Sequence, residues 1–207
     1  MIFSIFSHFC YGLIACFVGG LPLGLINMSV VNITIKKSPK SAYQFALGSS
    51  LVEILEASVA VVFGMVIEGY VRNNQYVQSF LFLAFVIVGL YFLMKKPRPI
   101  YYESSSTKKS NEFFKGVVVA LLNPQAIPFW LFALAFVAPY QIIDFAGTNL
   151  YFFLGGVFIG KLLALVLFTK FAQYIKTHVR QSSSIVDKTM GSIFIIIGLI
   201  QVLAFFI

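Results

Sequence analysis

KKPRPIYYESSSTKK, running from Lys95 to Lys109, is the one stretch of this sequence that combines serine, proline and charge. Three apolar stretches precede it, at about Phe3–Val31, Ala42–Ile67 and Val77–Met94. Three follow, at about Phe113–Ala138, Leu150–Thr169 and Met190–Ile207. A helix crosses the hydrocarbon core with about 20 apolar residues. The simplest count is therefore six crossings of an all-α integral membrane protein, three on either side of the linker. The first stretch is longer than one crossing requires.

The chain then reads as one transmembrane domain over residues 1–207: a first repeat at about 1–94, a linker at about 95–112, and a second repeat at about 113–207. Each half crosses an odd number of times, so the second must be inverted relative to the first. The halves resemble each other weakly. Gly19-Gly20-Leu21-Pro22 matches Asn123-Pro124, Leu47-Gly48-Ser49 matches Leu154-Gly155-Gly156, and Gly89-Leu90 matches Gly198-Leu199. Transporters built from inverted repeats place their site near mid-membrane, at broken helices between the repeats.

Composition agrees with lipid as the solvent. Of 207 residues, 59% are hydrophobic and 11% charged, with a mean hydropathy of +0.92. Seven acids and fifteen bases cannot cover the surface of a soluble domain of this size. The bases are not spread evenly. Lys36, Lys37 and Lys40 occupy the first connection, and Lys95, Lys96, Arg98, Lys108, Lys109 and Lys115 the third. Lys170, Lys176, Arg180 and Lys188 occupy the fifth, while the second holds only Arg72 and the fourth none. The positive-inside rule puts connections one, three and five in the cytoplasm, with both termini outside. The net charge of +8 is thus a topology signal that also suits anionic headgroups, and no nucleic-acid surface is expected. The N-terminus shows no basic n-region or small-residue cleavage site, so the first stretch reads as a helix of the mature protein. Cys10 and Cys16 have neither zinc nor redox spacing and read as small hydrophobes.

Three ionisable residues fall deep inside apolar stretches: Glu53, Glu56 and Lys161. An intramembrane charge costs roughly 2.5–3.5 kcal/mol on insertion scales, so none should face lipid unpaired. Glu53 and Glu56 share a helix face, and Ser49 extends that polar stripe. Two carboxylates and one ammonium cannot neutralise each other. If Lys161 pairs with one acid, the other must carry a proton or meet a cation from a substrate. Desolvation and like charge both favour a protonated acid, a property suited to proton exchange. The plainer reading has a glutamate near a water-filled vestibule and Lys161 clipping helices together.

The prolines form a second group. Pro22 lies between Gly20 and Gly24, in a run that also carries Asn27 and Asn32. Proline removes a hydrogen bond and glycine loosens the helix, which predicts an unwound turn there. Asn123-Pro124-Gln125-Ala126-Ile127-Pro128 repeats the situation in the second half, with an amide on either side of Pro124. In lipid the freed carbonyls need a protein or water partner, so both breaks should face the interior. Trp130 fits an interface anchor or a cavity wall. His8 is placed near the outer surface and His178 in a cytoplasmic loop, without metal-binding companions. No nucleophile with a base, phosphate loop or cofactor motif is present, so neither an enzyme nor a resident cofactor or metal is expected. Gly48, Gly155 and Gly156 read as helix-packing positions; with Gly160, the last two suit contacts within one chain or between two in a homodimer.

At this point the sequence resembles the LysE/RhtB family of amino-acid exporters. Gly116 followed by Asn123-Pro124-Gln125-Ala126 and then Phe129-Trp130 is similar to the family's glycine, Asn-Pro-Lys-Ala and Phe-Trp motif. Gly20-Leu21-Pro22-Leu23-Gly24 resembles its Pro-Gly-Pro break, and Leu47-Gly48 with Glu53 its glycine-rich second helix with an acidic residue. Two departures stand out. Pro-Leu-Gly replaces Pro-Gly-Pro, and Gln125 stands where the family has lysine, while Lys161 adds a cation in the fifth helix. The resemblance implies efflux of an amino acid across the cytoplasmic (inner) membrane.

The expectation is a secondary exporter of an amino acid or a similar small zwitterion or cation, driven by protons. Glu53 and Glu56 would take the amino group or the proton, and Lys161 would take a carboxylate or hold the unused acid until substrate displaces it. Asn27, Asn123 and Gln125 would stand around them. Metal-ion or other metabolite export is the alternative, with Glu53 and Glu56 as hard oxygen ligands. A thiol–disulfide carrier would want a cysteine in each half, and a non-transporting scaffold would leave three buried charges without a use.

Overall fold

The structure, a computed structural model, describes residues 2–21, 24–71, 75–94, 111–123, 125–137, 144–145 and 147–178, with fragments at 188, 191–192 and 195–196. Pro22, Pro124, Arg72, residues 95–110 of the linker and most of the last apolar stretch lie outside the described residues. Every described element is a helix: α1 (Ile2–Gly19), α2 (Leu25–Lys36), α3 (Pro39–Val71), α4 (Gln75–Met94), α5 (Glu112–Leu121), α6 (Ala126–Val137), α7 (Thr148–Lys170) and α8 (Ala172–His178).

The first and fourth apolar stretches each hold two helices. α1 closes where Gly20 N–H donates to the Cys16 and Phe17 carbonyls and Leu21 N–H to Val18. α2 starts with Gly24 as its N-cap, whose carbonyl accepts from Met28 N–H. α5 closes through Leu122 N–H to Val118 and Asn123 N–H to Ala120, and α6 begins as Phe129 N–H reaches the Gln125 carbonyl. Pro128 is the third residue of α6, in the turn whose N–H groups have no partner within a helix. The interruption therefore lies ahead of it.

α3 is continuous over 33 residues. Ser38 opens it by accepting from Ser41 N–H, with Pro39 at the first helical position, where its missing N–H costs nothing. Among the described residues, Pro39–Gly64 of α3 and Thr148–Lys170 (α7) are long and apolar enough to cross a membrane.

α1 packs along α7, and α3 packs against α5, α6 and α7. Glycines make the two tightest contacts. A side chain on Gly12 would strike the Phe153 carbonyl, one on Gly156 the Phe9 carbonyl, and one on Gly160 the Leu13 carbonyl. One on Gly48 would strike the Phe113 carbonyl, and one on Gly116 that of Phe45. Gly156 meets Phe9 and Leu13, and Gly160 meets Leu13 and Phe17, so α1 and α7 run parallel.

The two contacts share one pattern: a phenylalanine with a glycine three residues on, at Phe9/Gly12, Phe45/Gly48, Phe113/Gly116 and Phe153/Gly156. α1 stands to α7 as α5 stands to α3. This packing matches Gly48 with Gly156, one position beyond the sequence match to Gly155. The nearest atom to a side chain at Gly155 would be a Phe9 ring carbon at 4.0 Å. In the same register Glu53 matches Lys161, each five residues past its contact glycine.

The buried apolar residues form two clusters. Ile26, Val30, Phe45, Val52, Ala120, Leu165 and Phe168 belong to one, and Ala57, Ala60, Trp130, Leu134, Phe153 and Val157 to the other. On α3 the boundary falls between Val52 and Ala57; on α7 it falls between Val157 and Leu165. The ionisable residues occupy that boundary.

Candidate functional site

Glu53 stands midway along α3 and is 3% exposed. Its Oε1 accepts from the indole Nε1–H of Trp130 at 2.8 Å, and its Oε2 lies 2.7 Å from Lys161 Nζ. Trp130 reaches it from the second turn of α6 and is itself completely buried, with Phe129 and Phe153 edge-on to its ring. Lys161 reaches it from α7. Three helices thus converge on one carboxylate. The α3 and α7 positions follow from the glycine contacts, which set the helices' depth.

Glu56, one turn further along α3, is buried at 8% exposure, and its Oε2 has no hydrogen-bond partner among the described residues. Ser50, one turn before Glu53, is fully buried, and its Oγ also lacks a partner. Cys16 of α1 is buried beside the group, close enough to feel Glu53, Lys161 and Glu56. With all three ionised the cluster carries one net negative charge. Removing one member of a buried pair costs about 3–5 kcal/mol, whereas apolar residues can often replace the whole pair without loss. Packing alone therefore does not explain the cluster.

The two helix interruptions meet beside it. Asn27 donates from Nδ2 to the Gly20 carbonyl at 2.7 Å, satisfying one acceptor freed where α1 ends. Asn123 Oδ1 accepts from Gln125 N–H at 3.4 Å, holding the turn into α6. The Gln125 side-chain oxygen faces Gly24, 3.7 Å from where a Cβ would stand, and the Phe129 ring covers Gly19. The structure thus brings Glu53, Glu56 and Lys161 into one cluster, and the break residues Gly20, Gly24, Asn27 and Gln125 into another. Gly48 and Gly156 lie in the helix contacts; Gly155 does not.

Further polar contacts among the described residues lie outside this region. Lys37 Nζ pairs with buried Glu112 at 2.5 Å, joining the end of α2 to the start of α5. At the far end of α1, His8 is buried. Its Nδ1 meets the Ser4 carbonyl at 2.6 Å, and its Nε2 accepts from Asp144 N–H at 3.0 Å. Tyr11 donates to the Ala133 carbonyl nearby.

Sequence reasoning left Trp130 without a role and passed over Ser50. A tryptophan seven residues after Asn123 on an otherwise apolar helix was the available signal, since a buried indole N–H needs an acceptor. For Ser50 the signal was only its spacing from Glu53.

Among the described residues, no group of three or more His, Cys, Asp or Glu side chains is arranged to hold a metal ion. No curated protein and no solved structure matches the chain. A buried charge cluster beside paired helix breaks is an arrangement suited to handling a solute within a bilayer, and one family model, LysE type translocator, matches residues 17–204. The chain belongs to that translocator family, whose members carry solutes across a membrane.

Proposed function

We propose that this translocator is a secondary exporter of an amino acid or a related small zwitterion or cation, coupled to protons, in the cytoplasmic membrane. One observation carries the reading: Glu53 and Lys161 satisfy each other in the buried cluster, and Glu56 is left over. That carboxyl accepts either the substrate's ammonium group or the coupling proton, and alternation between the two is what exchange requires. Lys161, an ammonium with three N–H donors, offers the complementary contact to a carboxylate. Gln125 and the two breaks form the wall past which the solute moves.

The six-crossing, inverted-repeat arrangement belongs to this proposal. The parallel run of α1 with α7 supports it, since the first and fifth crossings of such a chain point the same way. The Lys37–Glu112 pair supports a common side for connections one and three. Their basic residues, with those of connection five, favour the cytoplasm for that side and the outside for both termini. The metal-ion alternative has less support, because both oxygens of Glu53 are engaged by Trp130 and Lys161.

The test is uptake of labelled amino acids into inside-out vesicles carrying the protein, with and without an acidic lumen. One amino acid should accumulate only with the gradient. Glu56→Gln should lower that uptake by about 10- to 150-fold, the equivalent of one lost hydrogen bond to a charged group. Gradient-driven uptake in Glu56→Gln equal to that of the parent, at equal protein abundance, would remove the role assigned to this carboxyl.

A further inference from the structure

Six serine and threonine hydroxyls on the described helices behave alike. Ser7, Ser29, Thr34, Ser49, Ser58 and Thr169 each donate to a carbonyl three or four residues back along their own helix. Such back-bonding is the usual fate of a hydroxyl inside a helix. Ser50 is fully buried, adjoins one of these residues, and its hydroxyl makes no hydrogen bond among the described residues. A buried hydroxyl without a partner is destabilising, and a helix carbonyl one turn away could ordinarily relieve that cost.

We propose that Ser50 is a specificity-determining residue of the translocator, donating its hydroxyl to the carboxylate end of the transported molecule. The proposal rests on the export reading above and adds a residue to it. Glu53 lies between Ser50 and Glu56, one helical turn from each, so the unpartnered hydroxyl and the unpartnered carboxyl bracket the ion pair along α3. The available groups are a donor at Ser50, the remaining N–H donors of Lys161, and an acceptor at Glu56. A ligand with an acceptor at one end and an ammonium at the other satisfies all three. A plain amine satisfies only Glu56.

The experiment measures ligand-dependent thermal stabilisation of the purified protein in detergent. The probes are the common amino acids and, for each one that binds, the corresponding amine without its carboxylate. Ser50→Ala should weaken binding of the amino acid about 10- to 150-fold, the range for one hydrogen bond to a charged group, and leave binding of the amine unchanged. Ser58→Ala, whose hydroxyl is occupied by the Ile54 carbonyl, should alter neither. Ser50→Cys, nearly the same size but a poor donor, should repeat the alanine result if packing is unimportant. Unchanged amino-acid binding in Ser50→Ala would overturn the proposal and leave export standing, as would equal weakening for the amine. Absence of stabilisation by every amino acid and amine, with the protein folded, would overturn the export reading and this proposal together.

Discussion

Replacing Glu53 with glutamine keeps the side chain's shape and leaves an amide oxygen to accept from Trp130, but removes the charge 2.7 Å from Lys161. At that distance the bare attraction is roughly 6 kcal/mol for an effective dielectric of about 20. Desolvation offsets much of it, and breaking one side of a buried pair costs about 3–5 kcal/mol in practice. Lys161→Met should cost a similar amount, since it strips Glu53 of its only cation. The double variant Glu53→Gln/Lys161→Met strands neither member of the pair and should lie within about 1 kcal/mol of the parent, or above it. The expected coupling is therefore about 3 kcal/mol or more between two residues on different helices. Trp130, the chain's one tryptophan, sits against the pair, so its fluorescence during SDS unfolding reads stability at the site itself. If the losses in the single variants add up in the double variant to within about 0.5 kcal/mol, the two side chains are independent. The site would then have to be rebuilt without an ion pair.

Adjacent glycines should respond differently. Gly156→Ala drives a methyl group into the Phe9 carbonyl and should cost about 1–3 kcal/mol. Gly155→Ala has its nearest neighbour at 4.0 Å and should be neutral or slightly stabilising by helix propensity, and the same fluorescence titration reads both. Asn27→Ala frees the Gly20 carbonyl and should cost about 1–3 kcal/mol in that titration, whereas Asn32→Ala, further along α2, should fall within about 0.5 kcal/mol.

Much of this molecule can be read from its residues, because in lipid a charge or a proline among apolar neighbours is conspicuous. Hydropathy and loop charge give an all-helical chain, and the Asn123–Trp130 motif points to the translocator family. Counting charges isolates Glu53, Glu56 and Lys161 but leaves open which acid holds the lysine. That choice depends on how α3 and α7 sit against α5 and α1. The register is set by glycines that touch backbone on a partner helix far away in sequence. Identity of neighbouring residues favours matching Leu47-Gly48 with Leu154-Gly155, and packing shifts the match by one. Trp130 escaped for a related reason: it meets Glu53 across 77 positions of sequence, and nothing local reveals which acceptor an indole will find. Ser49 and Ser50 are chemically identical neighbours. Their different fates depend on side-chain rotation, on which the sequence is silent.

The matched positions of Glu53 and Lys161 suggest why this cluster suits transport. An internally repeated bundle brings equivalent positions together, and two acids there would repel, while two apolar residues would hold the halves in one arrangement. One acid and one base form a contact that a zwitterion can replace piece by piece. In the export proposed above, its carboxylate would take Lys161 from Glu53 while its ammonium would bridge Glu53 and Glu56, so no buried charge would be stranded during the exchange. The barrier to parting the helices then falls when substrate is present, which is differential interaction with two states, as any ligand-driven conformational shift requires. Glu56 breaks the balance. When the substrate's ammonium is absent, this third charge can be buried cheaply only with one more positive charge, and a proton is the smallest that fits. In the export proposed above, an odd number of ionisable groups would call for one proton whenever the substrate's ammonium is absent, and Glu56 is where that proton should be sought.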